Sequence, residues 1–91
     1  MTPLHLASRG GVVEAARLLV ERGGDVTARS KDGSTALHLA SRGGHVPVTR
    51  VLLQYGADLG ARNDMDQSPY DVALGRGYRD IIQLLTSHGV E

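Results

Sequence analysis

The chain has 91 residues, with ten basic side chains, ten acidic side chains and no cysteine. This length suffices for one small domain, and the balanced charge gives no general attraction to nucleic acid or to a membrane surface. The lack of cysteine excludes a disulfide framework and a thiolate metal site, and it fits a reducing intracellular location, cytoplasmic or nuclear. No stretch approaches the roughly 18 consecutive apolar residues that a membrane span requires.

One eight-residue segment occurs twice without any change. It has the sequence Leu-His-Leu-Ala-Ser-Arg-Gly-Gly at positions 4–11 and again at positions 37–44, and a degenerate third copy lies at 70–77. Chance alone would rarely produce such a match at a fixed offset in so short a chain. We therefore predict a repeat architecture with three units, at about 2–34, 35–67 and 68–91.

Each unit is predicted to contain two short helices. The first helices, at about 3–10, 36–43 and 69–76, follow hydroxyl residues that can cap a helix. The second helices, at about 13–22, 46–55 and 79–88, carry apolar residues at helical spacing. Glycine is the usual residue where a chain leaves a helix at positive φ. The predicted caps are Thr2, Thr35 and Ser68, and the predicted terminators are Gly11, Gly44 and Gly77, then Gly23, Gly56 and Gly89.

The segments that join the units, 24–34 and 57–67, are predicted to form extended β-turn fingers. Asp32-Gly33 is a strong tight-turn pair, whereas the matching pair, Met65-Asp66, suits a turn less well. Helices this short are marginal on their own in water, so each helix pair must bury its apolar face against the next pair.

This pattern resembles the ankyrin repeat, a 33-residue unit with a β-turn and two helices whose signature is Thr-Pro-Leu-His-x-Ala. Residues 2–7 match the signature fully, residues 35–40 miss only the proline, and residues 68–73 match more loosely. The resemblance covers the chain without insertion or deletion. It implies an all-α solenoid of stacked helix-turn-helix pairs with β-turn fingers, forming a single domain over 1–91 in which 68–91 is a capping repeat.

The resemblance also implies a function. Ankyrin-like stacks bind partner proteins or peptides through the concave face made by the fingers and the first helices, and the resemblance implies no cofactor, no metal and no enzymatic activity. The chain begins at a helix start without a polar cap, so we expect its first repeat to expose apolar surface and to allow self-association. The alternative is therefore a fragment or minimal engineered scaffold with a folding or self-assembly role and no native partner site.

The charged residues of the predicted binding face recur at matching repeat positions. Arg9, Arg42 and Arg76 end the first helices, where the helix dipole favours cations even without a partner, so both interpretations stay open. For Arg29 and Arg62, at the finger bases, contact with an acidic partner is favoured. The predicted contact residues are Arg9, Arg29, Lys31, Asp32, Ser34, Arg42, Arg62, Asp64, Met65, Gln67 and Arg76.

Several further residues have interpretations to be compared. His5 and His38, each three residues before a serine, suggest a nucleophile–base pair, but no acid is placed to orient the histidine and nothing suggests an oxyanion hole. A structural role near the helix start is therefore favoured for both.

His45 is predicted to lie on the surface, and Tyr78 to pack over a repeat junction rather than to contact a partner. Met65 would either be exposed at a finger tip or be tucked against its own finger.

Overall fold

The computed structural model describes residues 1–89, which contain six α-helices and no strand. The last two residues of the predicted third repeat, Val90 and Glu91, lie outside this described range. The helices are α1 (Pro3–Gly10), α2 (Val13–Glu21), α3 (Ala36–Gly43), α4 (Val46–Gln54), α5 (Pro69–Arg76) and α6 (Arg79–Ser87). Across residues 1–89, no helix has the length and hydropathy needed to cross a membrane.

The predicted helices are confirmed, with one systematic difference. The three first helices have the expected bounds, and their starts recur in step along the chain. Each second helix ends one residue earlier than predicted, because Arg22, Tyr55 and His88 serve as C-caps outside the helix. A glycine at positive φ follows each of these caps, as expected for the residue after a helix end.

The first helices begin in a capping box, in which two residues satisfy each other's free backbone N–H groups. The backbone N–H of His5 donates to Thr2 Oγ1 over 3.2 Å, and the N–H of Thr2 donates to His5 Nδ1 over 2.9 Å. Thr35 with His38, and Ser68 with Asp71, repeat the arrangement. The three predicted helix caps are therefore confirmed.

The helix pairs stack so that the first helices form one layer and the second helices form another. In the first layer α3 lies between α1 and α5, and in the second α4 lies between α2 and α6. The core lies between the layers and across the repeat junctions, and its largest fully buried apolar side chains are Leu37, Val48, Leu52, Ile81 and Leu85. Neighbouring pairs thus supply the burial that isolated helices of this length lack.

An aromatic side chain of the second repeat and one of the third each pack against the turn between the two helices of the preceding repeat. The ring of His45 lies so close to Gly11 that a Cβ there would be 2.5 Å from Nδ1, and the ring of Tyr78 would be 3.2 Å from a Cβ at Gly44. The Nε2 of His45 also donates to the carbonyl of Arg9 over 3.0 Å. His45, which was predicted to lie on the surface, is partly exposed, and its ring also packs against the Gly11 turn across the junction. Junction packing by Tyr78 is confirmed.

Replacing two equivalent glycines should separate backbone strain from ring packing. Gly44 and Gly77 have φ of 71° and 70°, so alanine at either position adopts the left-handed conformation at a cost of about 1 kcal/mol. At Gly44 the new methyl group also displaces the Tyr78 ring, whereas nothing lies within 4 Å at Gly77. We expect Gly44→Ala to lower the free energy of unfolding by about 1 kcal/mol more than Gly77→Ala in urea denaturation. Equal losses would show that the ring does not constrain this turn.

Candidate functional site

The two fingers share one hydrogen-bond pattern. In the first, the N–H of Ser30 donates to the carbonyl of Ser34 over 2.8 Å, and in the second the N–H of Asn63 donates to that of Gln67 over 3.0 Å. The turn of the first finger passes through Gly33 at φ 78°, and the equivalent Asp66 has φ 60°. Among residues 1–89, Asp66 is the only residue other than glycine with positive φ. Aspartate adopts this conformation less readily than glycine, in agreement with the prediction that the Met65-Asp66 pair suits a turn less well than Asp32-Gly33.

The second finger is organised around one buried side chain. Asn63 Oδ1 accepts from the backbone N–H groups of Met65 and Gln67, each over 3.0 Å, and Asn63 Nδ2 donates to Gln67 Oε1 over 3.1 Å. These bonds hold Met65 at the tip, where its side chain is 76% exposed. Of the two interpretations that the sequence left open for Met65, the exposed tip is therefore correct.

The first finger uses an aspartate in the equivalent role and is joined directly to the second. Asp32 Oδ1 accepts from Ser30 Oγ and from the N–H of Ser34. The side chains of Ser30 and Ser34, with smaller contributions from the Ser34 backbone and the Arg42 charge, lower the pKa of Asp32 to about 2. The N–H of Asp64 donates to the carbonyl of Asp32 over 2.9 Å, which links the two tips. The fingers are thus a connected unit that presents residues in fixed positions.

The arginines at the finger bases, Arg29 and Arg62, stabilise the fingers by donating hydrogen bonds to finger carbonyl groups. Arg29 Nη1 donates to the carbonyl of Gly33 over 2.9 Å and also to the carbonyl of Arg62 in the next finger. Arg62 Nη1 donates to the carbonyl of Asp66 over 2.9 Å, and its guanidinium lies 3.9 Å from the carboxylate of Asp66 and 3.6 Å from that of Asp71. Both arginines therefore have an intramolecular role that their repeat position alone did not reveal, and partner contact by either stays a prediction.

The two signature histidines hold first helices to fingers. Besides the capping bonds, His5 Nε2 donates to the carbonyl of Ala28 over 2.8 Å, and His38 Nε2 donates to the carbonyl of Gln67 over 2.7 Å. Their structural role is therefore confirmed. With both ring nitrogens engaged, neither can act as a base for the nearby Ser8 or Ser41, whose buried hydroxyls have no partner among the described residues.

A groove runs across the fingers and first helices and is formed by two adjoining hollows. The first, of about 440 Å³, is lined by Met1, Leu6, Arg9, Ser30, Lys31, Asp32, Leu39 and Arg42. The second, of about 410 Å³, is lined by Asp32, Arg42, Met65, Gln67, Asp71, Val72, Gly75 and Arg76. The hollows share Asp32 and Arg42 in their linings, so they adjoin each other, and we call them together the finger groove.

The structure divides the predicted contact residues into distinct groups. Seven line the finger groove, namely Arg9, Lys31, Asp32, Arg42, Met65, Gln67 and Arg76. Arg29 and Arg62 brace the fingers, and Asp64 is exposed beside the first turn without lining either hollow. Ser34 is the correction: its side chain is fully buried and lies 3.5 Å from the Arg42 guanidinium, so packing removes it from the accessible surface.

The sequence pattern did not single out Leu6 and Leu39, which supply the apolar floor of the first hollow. Both occupy the variable position of the repeat signature, and the recurrence of leucine there was the available signal. The part of the chain that the structure describes holds no group of three or more histidine, aspartate or glutamate residues arranged to bind a metal ion. The finger groove is a concave surface lined by charged and apolar side chains.

Comparison with known families agrees with this architecture. A family model for ankyrin repeats, in three copies, matches residues 4–91. No curated protein matches the chain.

The buried position of His38 predicts a loss of stability in weak acid. Burial is the main cause that lowers its pKa below the ordinary 6.5, and the cations of Arg42 and Arg29 act in the same direction, while Gln67 and Asp32 oppose them. The unfolded chain therefore binds a proton before the folded chain does as the pH falls through about 6.5. Stability should be constant above this pH and fall below it by up to about 1.4 kcal/mol per pH unit for this one group.

Urea denaturation between about pH 8 and pH 5 measures this dependence. His38→Gln should flatten the fall, whereas His88→Gln, which removes an exposed histidine, should leave it unchanged. A variant His38→Gln with the same pH dependence as the parent protein would contradict the assignment.

Proposed function

Because the chain belongs to the ankyrin repeat family, whose members generally serve as non-enzymatic protein–protein interaction modules, we propose that it binds a partner protein or peptide along the finger groove. The observation that carries this proposal is the groove itself. Its two adjoining hollows are lined by residues of all three repeats, and exposed side chains such as Arg9, Lys31, Met65 and Arg76 are among them. Clefts of this size with a few converging polar groups are the usual form of a recognition site.

The charge along the groove supports an acidic partner. Four cations line it, namely Arg9, Lys31, Arg42 and Arg76, against the two carboxylates of Asp32 and Asp71. Within residues 1–89, ion pairs join only Arg62 to Asp66 and to Asp71, so the four groove cations have no carboxylate partner there. Such cations attract carboxylates, and they favour acidic partners over basic ones.

The rigidity of the fingers supports binding by a preformed surface. Asn63 and Asp32 hold the two tips with buried or short-range hydrogen bonds, and the backbone bond from Asp64 to Asp32 joins them. A surface whose residues are already fixed loses little conformational entropy on binding. The function therefore needs no large rearrangement of the repeats.

A second candidate function, self-association through the first repeat, is supported by two leucines. Leu6 and Leu18 are 49% and 46% exposed, whereas the equivalent residues of the second repeat, Leu39 and Val51, are each 3% exposed. The difference arises because the first repeat shields the second, while no residue within 1–89 covers the corresponding side chains of the first. Exposed apolar side chains favour association with another protein surface.

Charge reversal should test the groove as the binding surface. We expect Lys31→Glu/Arg76→Glu to lose the acidic proteins that the parent chain captures from a cell lysate, with affinity reduced about tenfold or more. Arg17→Glu/Arg50→Glu makes the same charge change on exposed positions of the second helices and serves as the matched control. Mass spectrometry of the captured proteins compares the three. Equal capture by both variants would reject the groove as the site.

Sedimentation velocity across a concentration series tests self-association. If the exposed leucines drive it, the parent chain should sediment as a larger species at high concentration, and Leu18→Gln should remain monomeric. Gln83→Leu, which adds an apolar side chain at an exposed position of α6, shows whether any exposed leucine promotes non-specific association. A monomer at every concentration would exclude this second function and leave partner binding unaffected.

A further inference from the structure

The first hollow of the finger groove combines an apolar floor with a basic rim. Leu6 and Leu39 form the floor, and Leu6 is about half exposed although it lies inside the hollow. Arg9, Lys31 and Arg42 form the rim. A cavity that offers apolar surface surrounded by charges of one sign is suited to an apolar anchor with oppositely charged neighbours.

Within residues 1–89, the rim cations form no ion pair with a carboxylate. Arg9 and Lys31 make no side-chain hydrogen bond or ion pair with any residue in the range 1–89, and Arg42 reaches only the hydroxyl of Ser34. The single carboxylate of the hollow, Asp32, is already held by Ser30 and by the backbone of Ser34. Three cations therefore face a hollow with one carboxylate, which leaves an excess of positive charge.

The second hollow differs from the first in the balance of charges that line it. Its lining includes two carboxylates, Asp32 and Asp71, against two cations, Arg42 and Arg76. Its apolar lining residues are Val72, which is buried, and Met65, which is exposed at the finger tip. Of the two hollows, only the first therefore has more cations than carboxylates in its lining, at the end of the groove formed by the first repeat and the first finger.

We propose that the first hollow binds one bulky apolar side chain of a peptide segment whose neighbouring residues carry carboxylates that pair with Arg9, Lys31 and Arg42. This inference rests on the proposed function and narrows it to a class of ligand. The apolar side chain covers Leu6 and displaces water from it, while the carboxylates accept hydrogen bonds from the rim. The second hollow, with its balanced charges, receives the less charged continuation of the peptide.

A phage-displayed library of short random peptides tests the ligand class directly. Phage that bind the immobilised parent chain are enriched. The variant Leu6→Gln/Arg9→Gln/Lys31→Gln is used to remove peptides that bind outside the first hollow. We expect the enriched peptides to share a large apolar residue within a few positions of aspartate or glutamate. A fluorescein-labelled copy of the most enriched peptide should lose about tenfold or more in affinity when that apolar residue becomes serine, and likewise when its carboxylates become amides.

Matched variants assign the binding to the first hollow. Leu6→Gln and Arg9→Gln/Lys31→Gln should each weaken the labelled peptide, whereas Leu18→Gln and Arg17→Gln/Arg50→Gln, at similarly exposed positions on the second helices, should not. Because all of these side chains are exposed, thermal unfolding should verify that each variant is folded. Enriched peptides that lack acidic residues, or no enrichment over the triple variant, would overturn the inference.

The outcome also separates this inference from the proposed function. If capture of acidic proteins is lost in Lys31→Glu/Arg76→Glu but persists in Leu6→Gln, the groove binds partners without the apolar anchor, and only the inference fails. If neither the groove variants nor the hollow variants affect capture, both proposals fail. Loss in Leu6→Gln together with an acidic, apolar peptide consensus supports both.

Discussion

Burial of each helix pair against the next is the interaction on which the other features depend. Helices of eight or nine residues have little stability alone, so their capping boxes and terminating glycines matter only once the apolar faces are covered. The middle repeat, which has a neighbour on both sides, shows the consequence. Leu37, Val48 and Leu52 are fully buried there, whereas Leu18 on the outer side of the first repeat is not.

Polar contacts across the junctions then fix how neighbouring elements are aligned. His5 and His38 each connect a first helix to the finger that follows it, and His45 connects the start of a second helix to the carbonyl of Arg9 in the preceding repeat. Buried side chains that satisfy a backbone carbonyl in another element are costly to leave without that partner. They therefore favour one relative position of neighbouring repeats, and that position determines the shape of the finger groove.

The sequence predicted the features that depend on local spacing. Thr2, Thr35 and Ser68 cap helices, and Gly44 and its equivalents end them, because these properties follow from neighbouring residues along the chain. The weakness of the Met65-Asp66 turn was predictable for the same reason, since it depends on the conformation of one residue.

Features that depend on the next repeat were not predictable to the same degree. The role of Arg29 depends on the carbonyl of Arg62, which lies 33 residues away, and the burial of Ser34 depends on how the first finger packs below Arg42. His45 was assigned to the surface because its contact with Gly11 lies across a junction. In each case the residue type was consistent with two environments, and only the stacking decided between them.

The same stacking divides chemically similar cations into two classes with different consequences. Arg29 and Arg62 donate to finger carbonyls, so replacing either would alter the fingers as well as any binding, and their loss could not be attributed to a partner. Arg9 and Lys31 make no such bonds within residues 1–89, so their charge is available to a ligand. A basic residue in this fold is therefore informative about binding only after its internal hydrogen bonds have been taken into account. That distinction, rather than the number of cations, locates the excess positive charge at the hollow above Leu6.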